Sequence, residues 1–150
     1  RGWSRNRKDI SRVDNFYGNA QLDAFLKDVR VLVCLLPLTS ETTDILNSDL
    51  FSRLHKGAYL INLGRGAQLV EEDLLKALET GQIKAAALDV TREEPLPENH
   101  PFWKENRITI TPHIGGLTFC QETVEQVSRY IHAFEKGEAL TSLVDRKTGY

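Results

Sequence analysis

The sequence predicts an α/β fold, a doubly wound parallel sheet with helices on both faces, and three observations carry the prediction. Short apolar, β-rich runs alternate with helical patterns from Val31 onward. The first three runs are apolar almost throughout instead of alternating with polar residues, which is how strands buried on both faces read. Glycine and proline stops separate them at the positions that strand–helix–strand units require.

Taken in order, the strand candidates are residues 31–36 (VLVCLL), 58–63 (AYLINL), 85–90 (AAALDV) and 107–111 (RITIT). Between the first two, Ser48 to Leu54 reads as a short helix with Ser48 as its N-cap and Gly57 just past its end. Between the second and third, Glu71 to Thr80 keeps Leu74, Leu75 and Leu78 on one helical face, opens on acidic residues and stops at Gly81. The segment Glu94-Pro95-Leu96-Pro97-Glu98-Asn99-His100-Pro101 cannot continue a helix or a central strand and must be a surface loop. From Gln121 to Lys136, Val124, Val127, Ile131 and Phe134 predict a long helix, followed by a polar tail from Val144 to Tyr150.

Composition excludes several classes of function. Nineteen basic against twenty-one acidic residues leave a net charge of −2, so no global field attracts nucleic acid. No apolar run reaches the roughly 18 residues of a membrane span. Cys34 and Cys120 lack metal-ligand spacing, which predicts no metal site and a reducing, cytoplasmic setting.

Chemistry-bearing residues gather at the ends of successive strand candidates, where open parallel sheets place their ligands. Asn62-Leu63-Gly64-Arg65-Gly66 sets an arginine between two glycines. The glycines permit close backbone approach, and the guanidinium offers the planar fork that binds a carboxylate through two hydrogen bonds. Asp89-Val90-Thr91-Arg92-Glu93-Glu94-Pro95 follows the third strand, and Thr111-Pro112-His113-Ile114-Gly115-Gly116 follows the fourth. His113 suits proton transfer near neutral pH, and a carboxylate beside it would favour the imidazolium and hold the ring. Arg92 and Glu93 read as solvated charges, and His55, His100 and His132 as bland positions.

These segments, together with Leu35-Leu36-Pro37-Leu38-Thr39 and Glu94-Pro95-Leu96-Pro97, resemble in sequence and order the D-isomer-specific 2-hydroxyacid dehydrogenases. The resemblance runs over nearly the whole chain. It implies a Rossmann-type fold and hydride transfer between a nicotinamide and a small 2-keto acid. Trp3-Ser4-Arg5, the loop ending in Phe102-Trp103 and the ending Val144-Asp145-Arg146 with Gly149-Tyr150 look most like the branch that reduces glyoxylate and hydroxypyruvate. Carried over, it makes Arg65 the binder of the substrate carboxylate, His113 the general acid and Glu94, rather than Glu93, its carboxylate partner. Asp89 would sit near the nicotinamide carboxamide and Leu36-Pro37 on the adenine side, with Leu63, Gly64 and Gly115 also facing the cofactor. Ser4, Arg5 and Arg7 stand where NAD-binding members carry an aspartate, so NADP(H) is the expected cofactor and NAD(H) the alternative.

The family's G-x-G-x-x-G loop does not occur in the sequence. The expectation is therefore an incomplete Rossmann domain lacking its first βα unit over residues 1–116, then a C-terminal helix and tail over 117–150 that pack towards an absent substrate domain. Activity would belong to a longer, homodimeric parent, and the chain alone would be inactive. The rival expectations are a non-enzymatic, corepressor-like dinucleotide sensor and an inert fragment. The run Gly115-Gly116-Leu117-Thr118-Phe119-Cys120 departs from close relatives and bears on substrate fit.

Overall fold

The computed structural model describes residues 1–116, 118–141, 143–144 and 146. The expected boundary residue Leu117 and most of the expected polar tail (Asp145 and 147–150) lie outside the described residues. Two compact units result, Arg1–His113 and Ile114–Tyr150.

The first unit opens on β1 (Gly2–Ser4) and β2 (Asn15–Tyr17), a parallel pair with Trp3 opposite Phe16, followed by α1 (Leu22–Leu26). Neither strand nor the helix is announced by periodicity, because each is only one turn or three residues long. The main sheet is built from β3 (Val31–Cys34), β4 (Ala58–Asn62), β5 (Ile83–Leu88) and β6 (Ile108–Ile110), all parallel and in sequence order. Between them run α2 (Ser48–Ser52) and α3 (Glu71–Glu79). The chain is thus the parallel α/β, Rossmann-type arrangement that the alternation of apolar runs predicts, but α2 and α3 pack on one face of the sheet, where helices on both were expected.

On one face of the main sheet, Leu32, Cys34, Leu60, Ala86 and Leu88 are buried against Leu50 and Phe51 of α2, Leu74 and Leu78 of α3, and Phe102. Residues pointing the other way are open: Val31 is 52% exposed and Val33 46%. Among the described residues, β3 has β4 on one side and no partner strand on the other, and β1 pairs with β2 alone.

One local expectation is corrected. Ser48 is the first residue of α2 and not its cap; Asn47 is the cap, its Oδ1 accepting the Leu50 N–H at 3.0 Å. The Ser48 N–H is instead spent on Asp73 Oδ2 at 2.8 Å, which ties α2 to α3. α3 follows the prediction, with Glu71, Glu72 and Asp73 in its first turn, where the helix dipole favours negative charge.

The second unit is dominated by α4 (Cys120–Glu135). Its apolar residues Val124, Val127, Ile131 and Phe134 hold the predicted helical spacing, and all four are exposed. Among the described residues, no helix is long and apolar enough to cross a membrane, and no group of His, Cys, Asp or Glu could hold a metal.

Candidate active site

Parallel strands that start on one edge end on the other, so the segments after β4, β5 and β6 emerge together. Arg65, Glu94 and His113 lie on those three segments.

Arg65 has extended backbone and precedes a single turn of 3-10 helix, Gly66–Gln68. Its backbone is held at both ends, the N–H by Gln68 Oε1 at 2.8 Å and the carbonyl by Asn62 Nδ2 at 3.2 Å. The exposed guanidinium donates through Nη1 to the Gly64 carbonyl at 2.7 Å. Among the described residues that is its one hydrogen bond, leaving the outer N–H groups for a ligand.

His113 closes the first unit with φ of +55°, in the left-handed region that costs a β-carbon-bearing residue about 1–2 kcal/mol. Its N–H is tied to the Asp89 carbonyl at 2.9 Å, so the strained turn is braced by the end of β5. The ring Nδ1 lies 2.9 Å from Glu94 Oε2. The other oxygen of Glu94 accepts the Thr91 N–H at 3.1 Å. The hydrogen bond from His113 holds the Glu94 carboxyl below the usual carboxylate range, and the charges of His113 and Arg65 add to the effect. Glu94 and His113 are thus in direct contact, and the Arg65 segment lies beside them through Gly66, which abuts Thr91.

Arg92 and Glu93 are exposed, as read, but Arg92 also ties down the segment carrying Glu94. Its guanidinium pairs with Asp44 and donates to the Leu69 carbonyl at 2.7 Å, and its N–H donates to Glu71 Oε1. His100 is likewise engaged: Nε2 lies 3.3 Å from Glu71 Oε2, and Nδ1 accepts the Phe102 N–H. The loop is thereby pinned to α3 at both ends.

The glycines flanking Arg65 serve the protein itself. A Cβ on Gly66 would stand 1.9 Å from the Thr91 carbonyl carbon and oxygen, so the Arg65 and Glu94 segments abut backbone to backbone. Gly64 is buried against the Gln68 carboxamide.

The remaining candidates lie as follows. Asp89 is 5% exposed at the end of β5 and accepts a short hydrogen bond from the Thr111 hydroxyl. Leu36 is half-buried, Pro37 and Leu63 are exposed, and Gly115 is exposed in the second unit. Ser4, Arg5 and Arg7 stand apart from the main sheet, at and after the end of β1. Ser4 Oγ donates to the Asn6 carbonyl at 2.8 Å, Arg5 lies 3.7 Å from Glu41, and Arg7 is exposed. Gln68 and Thr111 escape a reading of the sequence. The signal for Gln68 is a lone polar side chain between Ala67 and Leu69-Val70.

Residues 1–115 match the model of the family described as D-isomer specific 2-hydroxyacid dehydrogenase, NAD binding domain. The chain is 53% identical over its whole length to glyoxylate/hydroxypyruvate reductase A of Serratia proteamaculans and spans 48% of that protein. A 2-hydroxyacid dehydrogenase from Xanthobacter autotrophicus Py2, solved with NADPH and MES, superposes with a TM-score of 0.95 at 36% identity, covering 99% of this chain and 62% of that one. An NADPH-dependent glyoxylate/hydroxypyruvate reductase from Sinorhizobium meliloti, solved with NADP and sulfate, gives 0.94 at 38% identity, over 99% of this chain and 48% of that one. The chain thus spans about half the length of the curated relative it matches. Three strand-end segments carrying Arg, Glu and His in this order, on a parallel sheet that superposes on those enzymes, place the chain in the D-isomer-specific 2-hydroxyacid dehydrogenases, with residues 1–115 as its NAD-binding domain.

Proposed function

We propose that this chain carries the reacting groups of an NADPH-dependent reductase of glyoxylate and hydroxypyruvate, and that the activity belongs to a longer parent. The observation that supports it best is that the segments carrying Arg65, Glu94 and His113 meet, with His113 Nδ1 2.9 Å from Glu94 and the backbone of Gly66, next to Arg65, against that of Thr91.

The Arg65 fork binds the keto acid's carboxylate and meets negative charge growing on its keto oxygen. Glu94 engages His113 at Nδ1, which leaves Nε2 to deliver the proton to that oxygen. After the transfer the ring is neutral and keeps its Nδ1 proton towards Glu94, so no reorientation is needed. A reduced nicotinamide, when bound, supplies the hydride.

The donor set after β1 suits the 2′-phosphate of NADPH: a serine hydroxyl at Ser4, a partly exposed cation at Arg5 and an exposed one at Arg7. Leu36 and Pro37 would line the adenine side, Asp89 would sit near the nicotinamide, and Leu63, Gly64 and Gly115 would also contribute to cofactor binding. The pyrophosphate cradle would come from elsewhere in the parent, since the sequence holds no G-x-G-x-x-G. We place the parent in the reducing cytoplasm, in keeping with the free thiols of Cys34 and Cys120, and as a homodimer on the strength of the family resemblance.

The test is NADPH oxidation by the full-length parent with glyoxylate and hydroxypyruvate. Turnover is expected, with Arg65→Ala and His113→Asn each lowering kcat/KM by about 100-fold or more. A parent silent towards both substrates, or variants as active as the wild type, would sink the reading.

A further inference from the structure

Gln68 is fully buried, with no exposed surface, yet polar, and every hydrogen-bonding position of its carboxamide is used. Oε1 accepts the Arg65 N–H at 2.8 Å and faces the Cys34 thiol at 3.5 Å. Nε2 donates to the Leu36 carbonyl at 2.9 Å and to the Pro37 carbonyl at 3.2 Å. The thiol remains a donor, because burial pushes the Cys34 pKa up. One side chain thus joins the end of β3, the segment that follows it and the Arg65 segment after β4.

Two neighbouring details point the same way. A Cβ on Gly64 would lie 2.2 Å from Gln68 Oε1, so residue 64 makes room for this carboxamide. The Arg65 side chain is exposed and, among the described residues, bonded only to the adjacent Gly64 carbonyl, so its aim depends on how its backbone is fixed. A buried amide satisfied at all its positions is a costly arrangement to disturb, since each partner lost leaves a polar group without water.

The geometry assigns Gln68 as the positioning residue for Arg65, coupling the carboxylate-binding guanidinium to the Leu36-Pro37 segment. The assignment rests on the proposed role of Arg65. Gln68 touches neither substrate nor reacting atoms; it acts by holding the Arg65 N–H while anchored to the Leu36 and Pro37 carbonyls.

The experiment uses the full-length parent. Gln68→Leu is expected to lower kcat/KM for glyoxylate on the order of tenfold or more, as loss of an orienting partner does. In an Arg65→Lys background the same change should cost no more than about twofold, because residues acting as one unit are not additive. Gln68→Glu guards against a variant that merely folds poorly. Its protonated carboxyl again offers an O–H to the Leu36 carbonyl and an oxygen to the Arg65 N–H, so its activity relative to wild type should rise as the pH falls. Amide exchange at Arg65, read by NMR, should quicken in Gln68→Leu whether or not any keto acid is turned over. Losses that multiply in the double variant, a Gln68→Glu ratio flat with pH, or unchanged exchange at Arg65 would each overturn the assignment. A wild-type parent with no turnover overturns the functional reading instead, and exchange at Arg65 still decides whether Gln68 holds it.

Discussion

Glu94 illustrates how one carboxylate serves two neighbours. Its two oxygens face His113 Nδ1 and the Thr91 N–H, and the resulting stabilisation of the charged form lowers its pKa from the ordinary value of 4.5. For a carboxyl whose folded-state pKa is depressed, the stabilising contribution is present in full above the ordinary carboxylate value. It is lost as the pH falls through the lower folded-state value. The Glu94–His113 pair should therefore persist into mildly acidic solution. A carboxyl-carbon NMR titration is expected to place the Glu94 midpoint below that of an exposed glutamate, and His113→Asn should move it back up. A midpoint at the ordinary value in the wild type would contradict the pairing. Arg65 and His113 stand out in the sequence as reactive residue types just past strand ends, whereas the choice of Glu94 over Glu93 comes from the family resemblance. Gln68 is not, because its function is set by three backbone groups that only the fold brings to it.

At the level of elements, the decisive contact is between two loops. The Arg65 and Glu94 segments meet at Gly66, where even one methyl group would collide with the backbone of Thr91 and with the Arg92 nitrogen. Neither neighbour can rotate away, since Thr91 is buried and Arg92 is fixed through Asp44 and Leu69. Gly66→Ala is expected to cost about 1–3 kcal/mol or more by overpacking. Urea unfolding would measure that loss, and a midpoint equal to wild type would show that the two segments can part. Apolar runs made β3 to β5 readable, since burial on a parallel sheet demands them, and helical spacing with an acidic start made α3 readable. β1, β2 and α1 were not readable because three to five residues carry no period. The ion pairs of Arg92 and His100 are not readable because their partners, Asp44 and Glu71, are distant in sequence.

The whole molecule combines a well-packed half-sheet with unsatisfied edges. β3 exposes one row of backbone groups, flanked by the side chains of Val31, Val33 and Leu35, and α4 exposes Val124, Val127, Ile131 and Phe134. Open strand edges with apolar neighbours recruit other chains. The 150-residue chain alone is expected to sediment as associated species, with no NADPH oxidation and no thermal shift on adding NADPH. Val33→Lys should reduce the association. A monomeric chain that melts cooperatively and responds to NADPH would show the edges to be harmless. The pinned loop of Glu94 and the braced turn of His113 have a last consequence for motion. Arg65, Glu94 and His113 all follow adjacent strands of one sheet within the first unit, so they are expected to move together. Any hinge in the parent can then change who reaches these groups, and how much water accompanies it, without altering the distances among them.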